Sequence, residues 1–173
     1  MKRMKCFVLV AGLLAGPALW AGIGEGAKLV ETTSSKLKKG MEGVTHADGP
    51  TDFVFDYKKG EFRIPYLQIT GLHYGNKSHL AIRYNLLLGI HPTKVHDYML
   101  TIDYTDEDKA PQSVMFQLGK NRIWNTLINL QSKSGQTIHF DNVEACKHAA
   151  KDAPPGQMDC SNVAAPAQDA QPN

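Results

Sequence analysis

Between His96 and Phe140 the apolar residues change period, and this change restricts the fold more than any other feature of the chain. Tyr98, Leu100, Ile102 and Tyr104 alternate with Met99, Thr101 and Asp103. A polar, acidic turn follows at 105–111, and Val114, Phe116 and Leu118 then resume the alternation. Period two over two short runs predicts a hairpin, with strands at 96–104 and 112–118. After Gly119 the spacing becomes helical. Ile123, Leu127 and Leu130 fall at i, i+4 and i+7, and Trp124 and Ile128 widen the stripe. Asn121 suits the N-cap, Lys133 the last turn and Gly135 the C′ position, so a helix is predicted over 121–134. Residues 137–140 form a short strand-like ending.

Upstream the alternation is already present. Phe53, Phe55 and Tyr57 share one face, Lys58-Lys59-Gly60 supplies a turn, and Phe62, Ile64 and Tyr66 continue an apolar face. Pro65 has no N–H, so its strand ends, bulges or lies at an edge there. Residues 69–74 form the next strand, with a turn expected at Gly75-Asn76-Lys77-Ser78. Leu80, Ile82, Tyr84, Leu86 and Leu88 then mark a strand with one buried side, and 89–95 reads as a loop around His91-Pro92. The expected fold is mainly β with one C-terminal amphipathic helix, a small bent antiparallel barrel with the helix over an open end or face.

The N-terminus reads as a secretory signal. Lys2, Arg3 and Lys5 precede an apolar run from Cys6 to Leu19, and Ala21, Gly22 and Gly24 are small. The run is shorter than the ~20 apolar residues of a spanning helix, which sets the alternative of an uncleaved anchor second. Of the 19 Lys and Arg residues three lie before residue 22. None of the 17 acids does, which leaves 16 bases and a formal charge of −1. A nearly neutral chain has no bulk electrostatic reason to seek nucleic acid. Export to the periplasm or exterior leaves two cysteines, Cys146 and Cys160. They bracket a bend at Pro154-Pro155-Gly156, and a disulfide between them is expected. The organisation is then a signal peptide at 1–21, a polar lead-in at 22–50 with a poorly marked first strand at 41–45, and a β domain at 51–140. A disulfide-closed segment at 141–162 and a disordered tail at 163–173 follow.

Several of these segments together resemble a family of uncharacterised exported bacterial proteins of acidobacterial type. The resemblance rests on Ile64-Pro65-Tyr66 with Ile69, Leu72 and Tyr74-Gly75, and on Tyr98, Leu100 and Ile102. It continues through Phe116 and Leu118-Gly119-Lys120 to Gly135-Gln136-Thr137-Ile138-His139-Phe140. It covers about residues 51–140 and implies a pleckstrin-homology-like architecture. The strand at 137–140, after the helix, departs from a minimal domain of that type. The family supplies no activity to carry over.

Candidate sites are sparse. Lys58, Lys59, Arg63, Lys77 and Arg83 come from neighbouring strands and turns. They form a possible anion-binding rim, since basic early loops hold anionic headgroups in intracellular domains of this architecture. Lys36-Leu37-Lys38-Lys39 reads as part of the solvated lead-in. The seven histidines (His46, His73, His79, His91, His96, His139 and His148) suggest a metal-handling protein as the alternative, although no spacing is diagnostic. Asp103, Asp106, Glu107 and Asp108 cluster at a hairpin tip without the order of an EF-hand loop, and read as a solvated turn. There is no G-x-S-x-G, and the disulfide would leave no free thiol for nucleophilic chemistry. The reading is a non-catalytic binding module with no cofactor and an unknown protein or peptide partner in the cell envelope. Strand addition near Pro65 is one route to such a partner, and nothing in the sequence supports membrane contact.

Overall fold

The computed structural model describes residues 24–85, 89–119 and 123–163, with the backbone alone over 78–95. Among the described residues eight strands form one mixed sheet in the order β4-β3-β2-β1-β7-β6-β5-β8. They are β1 (Glu25–Thr32), β2 (Glu42–His46), β3 (Asp52–Tyr57), β4 (Gly60–Pro65), β5 (Ile69–Asn85), β6 (Gly89–Thr105), β7 (Pro111–Leu118) and β8 (Ile138–Phe140). β8 runs parallel to β5, and the other neighbouring pairs are antiparallel. The helices are α1 (Ile123–Ser134) and α2 (Val143–Ala149).

The mainly-β expectation holds, as does the helix after the last long hairpin. The barrel does not, because the sheet is left open. β4 and β5 follow one another through a 3-10 turn at Tyr66–Gln68, yet they stand near opposite ends of the strand order and form no ladder. So short a connection spans at most ~14 Å, which forces the sheet to curl until its ends approach. The outer edge of β5 is paired instead with β8, at 72–74.

Period two decides which side chains meet. Leu29, Phe53, Phe55, Ile64, Leu72, Tyr74, Leu100, Ile102, Val114 and Phe116 are all fully buried on the inner face. Ile123, Trp124, Leu127 and Leu130 of α1 join that core, as the i, i+4, i+7 stripe requires. The edge expected at Pro65 is real: β4 is the outermost strand on its side and ends there.

Three local expectations are corrected. The weakly marked strand at 41–45 is β2, but the rest of the lead-in also supplies β1, and β1 lies between β2 and β7. Its inward positions are Glu25, Ala27 and Leu29, an alternation too weakly apolar to stand out. The turn expected at 75–78 is continuous strand. Gly75 is there because a Cβ would collide with the Asp141 carboxylate, not because the chain reverses. Likewise 89–95 is not a loop but the first half of β6, paired with β5 from Asn85↔Gly89 onward.

After β8 the chain enters α2, which the sequence reading left unassigned. Asn142 caps it by accepting from the Ala145 amide at 2.8 Å. Cys146 is buried on α2, at disulfide-bonding distance from Cys160, with Cα atoms 5.8 Å apart. The expected signal peptide, the Asn121 cap and residues 164–173 of the tail lie outside the described residues. Among the described residues no helix is long and apolar enough to cross a membrane.

Candidate anion-binding site

The β1–β2 connection is held from its middle. Leu37 enters the core, while its neighbours Lys36 and Lys38 are exposed. Backbone bonds pin the loop: the Leu29 amide donates to the Met41 carbonyl at 2.7 Å and the Gly40 amide to the Leu29 carbonyl at 2.8 Å. Gly40 adopts φ +88°, which glycine reaches without strain. The anchored leucine thus displays a lysine on either side.

The β3–β4 hairpin brings two more. Tyr57 pairs with Gly60, so Lys58 and Lys59 form the whole turn. Gly43↔Tyr57 and Lys28↔Glu42 register this tip against the β1–β2 loop, at one end of the sheet. Between them lies a groove of about 460 Å³ lined by Lys36, Lys38, Met41, Glu42, Tyr57, Lys58 and Lys59. Tyr57 stacks on Phe55 at 5.7 Å, fixing the floor to the core.

The charge balance is positive. Glu42 is drawn toward Lys28 at 3.8 Å, and Lys36 toward Glu107 at 3.8 Å. Both pairs are exposed, and such pairs hold their partners weakly. Among the described residues Lys38, Lys58 and Lys59 form no ion pair with an acid.

The predicted basic rim is therefore split. Lys58 and Lys59 belong to the groove. Arg63 does not: it donates to both Glu61 carboxylate oxygens at 2.8 Å and lies 3.7 Å from Asp52. The Arg63 guanidinium in turn holds the Glu61 carboxyl below its ordinary range. Lys77 and Arg83 lie on β5, in another part of the sheet. The reading missed Lys36 and Lys38, and the signal was available: one leucine set among lysines is an anchor that displays its neighbours.

The other candidates disperse. Asp106 accepts from the Asp108 and Ala110 amides and from the Gln112 side chain, so its carboxylate builds the hairpin turn. Asp103 faces His73 at 3.6 Å. His46 pairs with Asp56 at 3.3 Å, and His73 stacks on His139 at 5.4 Å. Around α2, His96 meets Glu144 at 3.5 Å, and His148 meets the Tyr74 hydroxyl at 3.1 Å. These contacts tie α2 to β5 and β6, and Asn142 donates to Asn76 at 2.7 Å beside them. Among the described residues no three His, Cys, Asp or Glu side chains converge in a way that could hold a metal ion. The side chains of His79 and His91 lie outside that description.

Comparison of the chain with protein-family models, with curated proteins and with solved structures finds no match in any of the three.

Proposed function

We propose that the chain is an exported, non-catalytic binding module that takes an anionic ligand in the groove between Lys36, Lys38, Lys58 and Lys59. The observation that carries this is the convergence of four lysines from two independently anchored loops, three of them without an acidic partner among the described residues. Lysine ammonium groups recognise phosphate or sulfate as point charges, and Met41 and Tyr57 offer an apolar floor beside them. A pleckstrin-homology-like reading fits a curled sheet covered by a helix, with the basic residues on its early loops. The eighth strand and the open edge extend that plan. Export is supported by the signal-like N-terminus and by the pairing of Cys146 with Cys160, which persists in an oxidising compartment.

The test is calorimetric titration of the purified protein with inorganic pyrophosphate and with phosphatidylglycerol vesicles, at low and high salt. Binding of at least one, weakening with salt and falling roughly tenfold or more in Lys58→Glu/Lys59→Glu, supports the reading. Lys151→Glu, outside the groove, should bind as the parent does. Absence of binding to both probes, or equal binding by the groove variant, overturns it. Pyrophosphate alone would indicate a soluble ligand, and vesicles alone a membrane headgroup.

A further inference from the structure

β5 and β6 are each 17 residues long, but their neighbours are not. β8 flanks β5 only at 72–74, and β7 flanks β6 only at 99–105. From Lys77↔Asp97 to Asn85↔Gly89 the two strands pair with each other and with no third strand among the described residues. The backbone groups along the outer sides of such a ribbon are left to water or to an added strand.

The two edges differ. Pro92 gives β6 one residue without an N–H, whereas β5 carries no proline over 77–85. That stretch of β5 holds Lys77, His79 and Arg83 and no acid. It also continues a line already used for pairing. β8 lies along β5 as far as Tyr74, whose carbonyl accepts from the Asp141 amide at 3.1 Å, and the chain then turns away into α2.

We infer that the β5 edge over 77–85 takes an extended, acidic segment of a protein partner as an added strand, in line with β8. Main-chain bonds supply the affinity and the basic edge selects the partner. A second copy of the chain is disfavoured, because it would set a basic strand against itself. Insertion into hydrocarbon is disfavoured as well, because an open edge there leaves its N–H and C=O groups unpaired. The inference is independent of the lysine groove, which other strands build.

The experiment uses a labelled synthetic peptide alternating Val and Glu, its Val–Lys counterpart, and phosphatidylglycerol vesicles. Binding is read by anisotropy, and backbone protection over 77–85 by hydrogen exchange. The acidic peptide should bind and protect those amides, and Lys77→Glu/Arg83→Glu should weaken it roughly tenfold with an unchanged circular dichroism spectrum. Lys58→Glu/Lys59→Glu should leave it unchanged. The inference is overturned by absent binding, by equal binding of the Val–Lys peptide, or by a charge-reversed variant that folds and binds as before. Protection by vesicles in place of peptide, or by self-association alone, overturns it too.

Discussion

The ring of Phe62 in β4 meets the ring of Tyr104 in β6 edge-on, with centroids 6.1 Å apart. Four strands separate β4 from β6 in the sheet. In a flat sheet the two would stand roughly 24 Å apart at the usual strand spacing. The contact therefore shows the sheet folding over on itself: the core closes through side chains where the backbone ladder stays open.

Phe116 sits at the centre of that closure. Its ring lies 4.9 Å from Phe55 and 5.8 Å from Phe53, two inward residues of β3. Phe116→Ala should cost roughly 3–5 kcal/mol, read as a lowered urea midpoint at unchanged slope. Leu67→Ala, at a side chain 95% exposed, should fall within about 0.5 kcal/mol of the parent. If both variants melt alike, Phe116 does not carry the core.

Tyr66 presents the opposite case. The residue is buried, and its hydroxyl has no hydrogen-bond partner among the described residues. Lys133 lies over the ring at 5.3 Å, but its ammonium donates to the Ala47 and Gly49 carbonyls. Removing a desolvated, unpaired hydroxyl relieves roughly 1–3 kcal/mol of burial cost. Tyr66→Phe should therefore raise the melting temperature, whereas a clear fall would reveal a partner for the hydroxyl.

Where side-chain period alone decides structure, the sequence was legible. The β3–β4 hairpin, the inward faces of β6 at 98–104 and of β7, and the α1 stripe all follow from it, while the buried side expected at Leu80, Ile82, Tyr84, Leu86 and Leu88 lies outside the described side chains. Where a residue serves a distant contact, local rules misread it. Gly75 and Asn76 look like a turn, but the first makes room for Asp141 and the second bonds Asn142. β1 was hidden for a related reason. A central strand with Glu25 and Ala27 inward carries little hydrophobic signal, because its neighbours supply the bulk. The grouping of the basic residues was hidden similarly, since only the register shows that Lys36 and Lys38 share an end with Lys58 and Lys59 while Lys77 and Arg83 do not.

The cysteine pair should matter for the C-terminal segment first. Cys146 is anchored on α2, and the link to Cys160 closes the stretch after it. In the chain-entropy model such a loop contributes ~3 kcal/mol. Cys160→Ser should lower stability by up to that amount in thermal melts, and reductant should lower the parent to match. Hydrogen exchange should rise at 143–163 before it rises in β3 or β7. A parent insensitive to reductant would mean that the thiols are not joined.

Alkaline pH should destabilise the fold. Burial raises the phenols of Tyr66, Tyr74, Tyr98 and Tyr104 above their ordinary value of 10.0, and desolvation is the largest cause at each. The folded chain therefore keeps protons that the unfolded chain releases above about pH 10, so the unfolded state binds fewer and stability falls as pH rises. The contribution is complete below the unfolded value and is lost progressively above it. Each phenol held protonated steepens the loss by up to ~1.4 kcal/mol per pH unit. Urea midpoints should be level up to about pH 9 in this respect and then drop. Tyr66→Phe, lacking one of these phenols, should show the shallower decline; parallel declines in the two proteins would mean that Tyr66 ionises as readily folded as unfolded.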